Sequence, residues 1–253
     1  MLKWFCHMTI FLVVCQLIMN EKRLKEFWNR EYKDPEFFSL SDEASSDLQK
    51  FTRWLQKEYG KDVLRPDVTV LDAGCGNGRN LLWMNEEFRV RGFGYDISEV
   101  AIRQANEQAA LQKWGSKLTF VVHSIALDIP LPDESVDIVL DMMASHFLKE
   151  KEREIYFKEV ARVLKPQGVL FFKSFYMEGD QHAKDMIKNE SGGEHNAYIH
   201  PRLKVYEYVW DDQALTDTFD KDFILQRKEP SYKHNIRGKP NKRRSVVCYF
   251  EKK

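Results

Sequence analysis

The sequence predicts an α/β protein whose parallel sheet is covered on both faces. Two observations carry that expectation. From Pro66 onward, short apolar segments alternate with amphipathic ones of helical period. The first apolar segment also runs straight into a glycine-rich turn, "VTVLDAGCGNGRNLLWM" over 68–84. Strands alternating with helices imply βαβ units with right-handed crossovers, and strands buried on both faces read as continuous apolar runs. The 253 residues leave room for one large domain or two small ones.

The elements come in order. Residues 21–33 place Leu24, Phe27, Trp28 and Tyr32 at helical spacing, and "DPEFF" then interrupts. A second helix is expected near 45–59, capped by Ser45 or Ser46 and ending at Gly60. Its apolar stripe is Leu48, Phe51 and Leu55. Strands are expected at 68–73, 92–97, 118–122, 136–141 and 168–175, and helices at 78–88, 98–114 and 150–164. Ser98 would cap the second of these helices, Gly115 would lie just past its end, and "KPQG" would stop the third. Residues 177–212 are polar and without clear period, a short helix is expected at 212–219, and "KDFILQRKE" and "RSVVCYFEK" read as two last strands.

Composition narrows the function. With 43% apolar and 31% charged residues the chain is globular, and its zero formal net charge gives no global field toward nucleic acid. Cys6, Cys15, Cys75 and Cys248 are scattered with no CxxC pair, which fits a reducing compartment and argues against a zinc site or a disulfide framework. The histidines His182, His195 and His200 match no standard metal spacing, so no metal is expected. Residues 4–19 are mostly apolar and end at "NEKRLK". Three readings stand open: a short membrane anchor with a cytoplasmic body, a non-native start upstream of Met19, and a signal peptide, which a lone Lys3 and the lack of an A-x-A site disfavour.

The glycine turn is the chemical centre. A strand delivers the chain to the sheet edge, glycines permit left-handed turns and close approach, and a helix N-terminus comes directly after. A ligand there would lie beyond the carboxyl ends of the strands. Exposed backbone amides are the expected contact surface. A dinucleotide turn would place its third glycine at 79, where Arg79 stands, and no GxxxxGK[ST] occurs. Asp72, just before the first glycine, would repel a pyrophosphate and suit an ammonium group. A cationic nucleotide bearing an amino acid fits best.

At these residues the chain resembles the class I S-adenosylmethionine-dependent methyltransferases. "VLDAGCGNGRN" resembles their glycine loop and "GFGYDIS" their second strand. "LTFVVHSIALDIPLPDESVDIVLDMMASHFL" resembles the third strand through the fourth, and "ARVLKPQGVLFFKSF" resembles the next helix and the fifth strand. The resemblance implies a Rossmann-like, doubly wound sheet of seven strands, the last antiparallel. It implies that Gly74, Gly76 and Gly78 admit the methionine part of the cofactor and that Asp72 serves its amino group, directly or through water. Asp96 would hold both ribose hydroxyls, and its distance of about 20 residues from the glycines suits that role independently. Ile97 would pack on adenine, with Ser124, Ile125 and Ala126 along the adenine edge. Ile125 stands where the family often has an acid.

Other roles stay open. Asn80 and Arg79 either touch the cofactor carboxylate or begin a helix. Cys75 and Met142 adjoin the cofactor, Cys75 as a packing residue. Asp141 closes the fourth strand near the reacting methyl, and His146 is a candidate base set against a structural histidine. Trp28 and Tyr32 either cover the cofactor or pack in a core. The run Arg237–Arg244 either binds acidic substrate or is a solvated loop.

The expectation is therefore a methyltransferase using S-adenosyl-L-methionine on a small-molecule acceptor. Residues 61–253 would form its domain, with 177–212 as the substrate-region insertion and 21–60 as helices over the cofactor. "DMMA" rather than "NPPY" after the fourth strand, with zero net charge, argues against nucleic acid. The alternatives are a protein, lipid or quinone methyltransferase, or a cofactor-binding module without catalysis. A cytoplasmic location is expected, membrane-associated if 4–19 is retained. Nothing in the sequence indicates an oligomeric state.

Overall fold

The structure, a computed structural model, describes residues 21–38, 40–231, 235–236, 239–240 and 243–253. The apolar segment 4–19 lies outside the described residues, as do positions 237, 238, 241 and 242 of the basic run. In chain order the helices are α1 (21–33), α2 (Ser46–Tyr59), α3 (Arg79–Phe88), α4 (Glu99–Leu111), α5 (Glu150–Val163), α6 (Gln181–Asn189) and α7 (Asp212–Phe219). The strands are β1 (Thr69–Ala73), β2 (Arg91–Asp96), β3 (Leu118–Val122), β4 (Val136–Met142), β5 (Leu164–Phe175), β6 (Ala197–Ile199), β7 (Tyr206–Tyr208), β8 (Phe223–Ser231), β9 (Asn235–Ile236), β10 (Lys239–Pro240) and β11 (Ser245–Lys252).

Seven strands make one sheet in the order β3-β2-β1-β4-β5-β11-β8, while β6–β7 and β9–β10 form small ladders of their own. Pairing is parallel from β3 to β5, and β11 runs antiparallel to both β5 and β8. The strand period of two explains how the sheet is covered. Leu71, Val139, Leu170 and Phe172 face α5 and α7, where Tyr156, Phe157, Val160 and Phe219 are buried. Their neighbours Val70, Ile138, Leu140 and Phe171 face α2, α3 and α4. The Phe51 ring of α2 packs tilted against Phe171 at 5.0 Å and Tyr249 at 4.9 Å. The caps agree with expectation: Ser45 accepts from the Asp47 amide, Ser98 from the Ala101 amide, and Gly60 ends α2 at φ 91°.

Three local expectations are corrected. Helix α4 ends at Leu111, not 114, and Gly115 lies in a 3₁₀ turn where a Cβ would overlap the Ala109 carbonyl. "KPQG" does not separate helix from strand. The chain enters β5 directly at Leu164, and Gln167 (φ 64°) kinks the strand beside a register shift between Val136 and Ile138. The stretch 177–212 is not irregular. It holds α6, whose Asp180 cap accepts from the Ala183 amide at 2.7 Å, and the β6–β7 hairpin. The two strands have three residues each, too few to show a period, and α6 buries only Ala183 and Met186. Among the described residues no helix is long and apolar enough to cross a membrane.

Candidate active site

The strand order reverses between β1 and β4, the place where open α/β sheets bind ligands. A cavity of about 320 Å³ opens there. One end is built from the loop after β1 and the end of β2. Gly74, Gly76 and Gly78 adopt φ of 75°, 57° and 77°, the left-handed region that side chains resist. A Cβ at Gly74 would overlap Ala144, one at Gly76 the Tyr32 hydroxyl, and one at Gly78 the Phe120 ring.

The expectation of exposed amides in this turn is corrected. The Gly74 and Cys75 amides donate to the Tyr95 carbonyl at 2.7 and 2.9 Å, and Gly78 N donates to Cys75 O at 3.0 Å. Gly76 N donates to Asp96 Oδ2 at 2.9 Å, and Ser98 N to Asp96 Oδ1 at 2.8 Å. The glycines thus serve close approach and the placing of Asp96. Each oxygen of Asp96 keeps a lone pair for a ligand hydroxyl, and Asp96 lines the cavity.

Asp72 lies under the turn, fully buried, and its Oδ2 has no hydrogen-bond partner among the described residues. Burial and, next, the nearby Asp96 charge push its carboxyl up to about 7, with Arg79 opposing. A buried carboxylate without a partner is costly, and an ammonium group would complete it. Asp141 is equally buried. Its Oδ1 accepts from the Ala144 and Ser145 amides at 3.3 and 3.2 Å, so it holds the turn after β4, and burial pushes it up to about 6.

The structure brings most of the expected residues to one place. Gly74, Asn80, Asp96, Ile97, Ser124 and Ile125 line the cavity. Met142 and His146 line it too. Asp72, Cys75, Gly76, Gly78, Ala126 and Asp141 do not: they form the layer behind it, Ala126 packing on the core beneath the sheet and Cys75 buried. Asn80 accepts from Ser45 N at 3.0 Å and donates to Met142 Sδ at 3.3 Å, so it joins α2 to β4 as well as facing the cavity. Arg79 opens α3 and donates to Ser41 O.

Helix α1 closes one side. Trp28 and Tyr32 both line the cavity. Asn29 Oδ1 accepts from the Ser98 hydroxyl at 2.8 Å and from Val100 N at 3.2 Å, and Tyr32 O accepts from Gln104 at 2.9 Å. Burial and the Asp96 charge raise the Tyr32 pKa, so its hydroxyl stays protonated.

The far end is aromatic. Phe38 stacks on Trp28 (5.2 Å), Trp28 meets Phe147 (5.5 Å), Phe147 meets His146 (4.0 Å) and His146 meets Phe175 (4.9 Å). Lys173 of β5 and Glu207 of β7 line the cavity in this region. Sequence reasoning misses both, although each is a lone charge inside an apolar stretch, "VLFFKSF" and "VYEYVW". Among the described residues no group of histidines, cysteines and acids could hold a metal ion.

Comparison with known proteins agrees with this geometry. Residues 70–168 match the family model described as a methyltransferase domain. Residues 70–168 thus carry a methyltransferase domain, set in the fold of the S-adenosylmethionine-dependent methyltransferases. It is 30% identical over 136 residues to 27-O-demethylrifamycin SV methyltransferase of Amycolatopsis mediterranei, covering 54% of this chain and 49% of that one. It is 30% identical over 122 residues to 2-methyl-6-phytyl-1,4-hydroquinone methyltransferase of Synechocystis, covering 48% and 36%. The chain thus spans half or less of the length of these curated relatives. A solved methyltransferase from Methanosarcina mazei shares the fold at a TM-score of 0.66 and 22% identity, covering 77% of this chain and 97% of that one. The methyltransferase domain's cofactor fits the residues present: the unpartnered Asp72 oxygen suits its ammonium, and the paired lone pairs of Asp96 suit a diol.

Proposed function

We propose that this methyltransferase domain transfers a methyl group from S-adenosylmethionine to a small, largely apolar acceptor. One observation carries this most: the cavity runs unbroken from Asp96 at the glycine turn to the aromatic rings at the ends of β4 and β5. A polar nucleoside seat and an apolar seat therefore share one space.

In this reading Asp72, from the layer behind the wall, serves the cofactor's ammonium directly or through water, Asp96 holds its ribose hydroxyls, and Ile97, Ser124 and Ile125 its base. The glycines, Asn80 and Met142 shape the seat of its amino-acid arm. The bound cofactor supplies a methyl group on a sulfonium, reactive enough that an aligned lone pair suffices. The protein's work is then binding, alignment and exclusion of water. Such orientation can lower a barrier by roughly 7–11 kcal/mol. Asp141 contributes by fixing the 144–145 turn that forms one wall. His146, buried at 2% exposure and on the acceptor side, is placed to take a proton where the acceptor needs to lose one.

The segment 177–212 supplies Glu207 to the same cavity, which supports its assignment as substrate region. The named relatives act on rifamycin-type and hydroquinone compounds, which favours a small acceptor and keeps a quinone-like one in play. Zero net charge argues against nucleic acid. The test is calorimetry with S-adenosylhomocysteine, then labelled methyl transfer across an acceptor panel. Saturable uptake with product supports the proposal. Uptake without any product would favour a binding module, and no uptake would remove both.

A further inference from the structure

The acceptor end of the cavity has a charge requirement of its own. Glu207 is only 3% exposed yet reaches the cavity wall. Its Oε2 accepts from the Tyr198 hydroxyl and from Arg243 Nη1, whereas its Oε1 accepts no hydrogen bond among the described residues. Arg243 is shared. Its Nε donates to Asp180 Oδ2 at 2.9 Å and its Nη1 to Glu207 Oε2 at 3.2 Å, all three side chains being 7% exposed or less. Two buried acids thus share one guanidinium, which can balance only one carboxylate; burial raises the Glu207 pKa and Arg243 opposes it. The α6 amide of Ala183 and the Arg244 amide also steady Asp180, which leaves Glu207 as the member that meets the cavity.

The walls beside Glu207 add the second requirement. Arg243 Cζ lies 3.8 Å over the Phe175 ring, and Phe175 continues through His146 and Phe147 to Trp28 and Phe38. Aromatic faces attract cations, and a desolvated cation also gains from a nearby carboxylate. An alcohol could fill the Oε1 position but would leave the charge uncompensated. A carboxylate would be repelled there.

We propose that Glu207 selects the acceptor: a small molecule with an aromatic or aliphatic body along the ring wall and a protonated amine against Glu207 Oε1. This rests on the cavity being the acceptor site of a methyltransferase, and it fixes the class of acceptor that site takes. Lys173, which also lines this end of the cavity, is paired with Asp47 at 2.9 Å and does not cancel Glu207.

The probes are 4-phenylbutylamine, 4-phenylbutanol and 4-phenylbutyrate, matched in their apolar part. Each is titrated calorimetrically into the full chain, with and without saturating S-adenosylhomocysteine. The amine is expected to bind at least tenfold more tightly than the alcohol, and the butyrate more weakly than both. Glu207→Gln is expected to erase the preference for amine over alcohol while changing S-adenosylhomocysteine affinity less than twofold. Glu207→Asp, which keeps the charge, retains the preference and serves if the glutamine variant does not fold. Equal binding of amine and alcohol by the native protein overturns the proposal. So does a preference that survives in folded Glu207→Gln or vanishes in folded Glu207→Asp. Absence of S-adenosylhomocysteine binding would count against the cofactor seat instead, since the amine ranking is read without it as well.

Discussion

The Gly76 amide donates to Asp96 Oδ2 at 2.9 Å, so the glycine turn and the acid at the end of β2 are one unit. The other oxygen of Asp96 is held by the Ser98 amide, the start of α4. Asp96 therefore has two tasks, shaping the loop and presenting lone pairs to the cavity.

Replacing Asp96 should reveal both tasks. Asp96→Ala leaves the Gly76 and Ser98 amides without their acceptors, and it is expected to weaken S-adenosylhomocysteine binding by about 1–3 kcal/mol and to lower the unfolding midpoint. Asp96→Asn is the sharper probe. Its NH₂ must face one of the two donor amides, so the isosteric change also lowers the midpoint. Calorimetry and thermal unfolding check the two effects separately, and an asparagine variant as stable as the native protein would contradict the two-sided clamp.

Asp72 should make cofactor binding pH-dependent. Its pKa is raised from 3.8 to about 7, chiefly by burial. Between these values the native state holds a proton that the unfolded state has lost. Stability from this group therefore falls as pH rises from about 4 to 7 and is level above. Ligand binding has the opposite slope, because the ammonium needs the ionised carboxylate. Affinity should rise with pH below about 7, at most tenfold per unit for one proton, and level off beyond. Asp141, raised to about 6, adds curvature only below that value. Asp72→Asn is expected to flatten the affinity profile measured from pH 5.5 to 8.5.

Much of this was legible in the sequence because each signal is local. A strand ending in Asp72, three alternating glycines and an acid some 20 residues later lie within one βαβ unit, where neighbours in sequence are neighbours in space. Strand β3 falls at 118–122 as expected for the same reason. What was not legible depends on distant pairing. That the turn's amides are already used needs the position of the Tyr95 carbonyl across β2. Glu207 becomes a cavity residue only because the β6–β7 hairpin brings it to Tyr198, and Arg243 reaches it from 36 residues away. Asp47 and Lys173 are 126 residues apart, and no periodicity links them.

Helix α1 should behave as a cover rather than as part of the core. Its contacts with the sheet domain include the Asn29 bonds to Ser98 and Val100 and an exposed Lys25–Glu99 pair, the latter worth little. Asn29→Ala is expected to cost about 1 kcal/mol and to speed hydrogen exchange in 21–33 while leaving the strands protected. Gly76→Ala should act from the other side. A Cβ there meets the Tyr32 hydroxyl at a φ of 57°, so α1 must lift or the turn distort. Cofactor affinity should fall in that variant, and Tyr32→Ala in the same background should restore part of it.

The buried pair of Asp47 and Lys173 should be needed for folding in a way that surface pairs are not. Asp47 Oδ2 accepts from Lys173 Nζ at 2.9 Å and from the Ser231 hydroxyl at 2.7 Å, joining α2, β5 and β8. Asp47 is lowered to about 2 despite burial, Lys173 being the largest favourable cause, while burial lowers Lys173. The folded pKa of Asp47 lies below its unfolded value, so this stabilisation is complete above about pH 4 and is lost as pH falls through 2. Asp47→Ala would leave the Lys173 ammonium, 6% exposed, without its partner, and is expected to destabilise by about 3–5 kcal/mol. Lys50 loses the same partner, but it is half exposed and water can compensate it. Adding Lys173→Met should recover most of the loss, because the apolar chain no longer requires a counter-charge. Urea unfolding of the single and double variants measures this, and a double variant no more stable than Asp47→Ala would show that the pair's worth lies in packing, not charge.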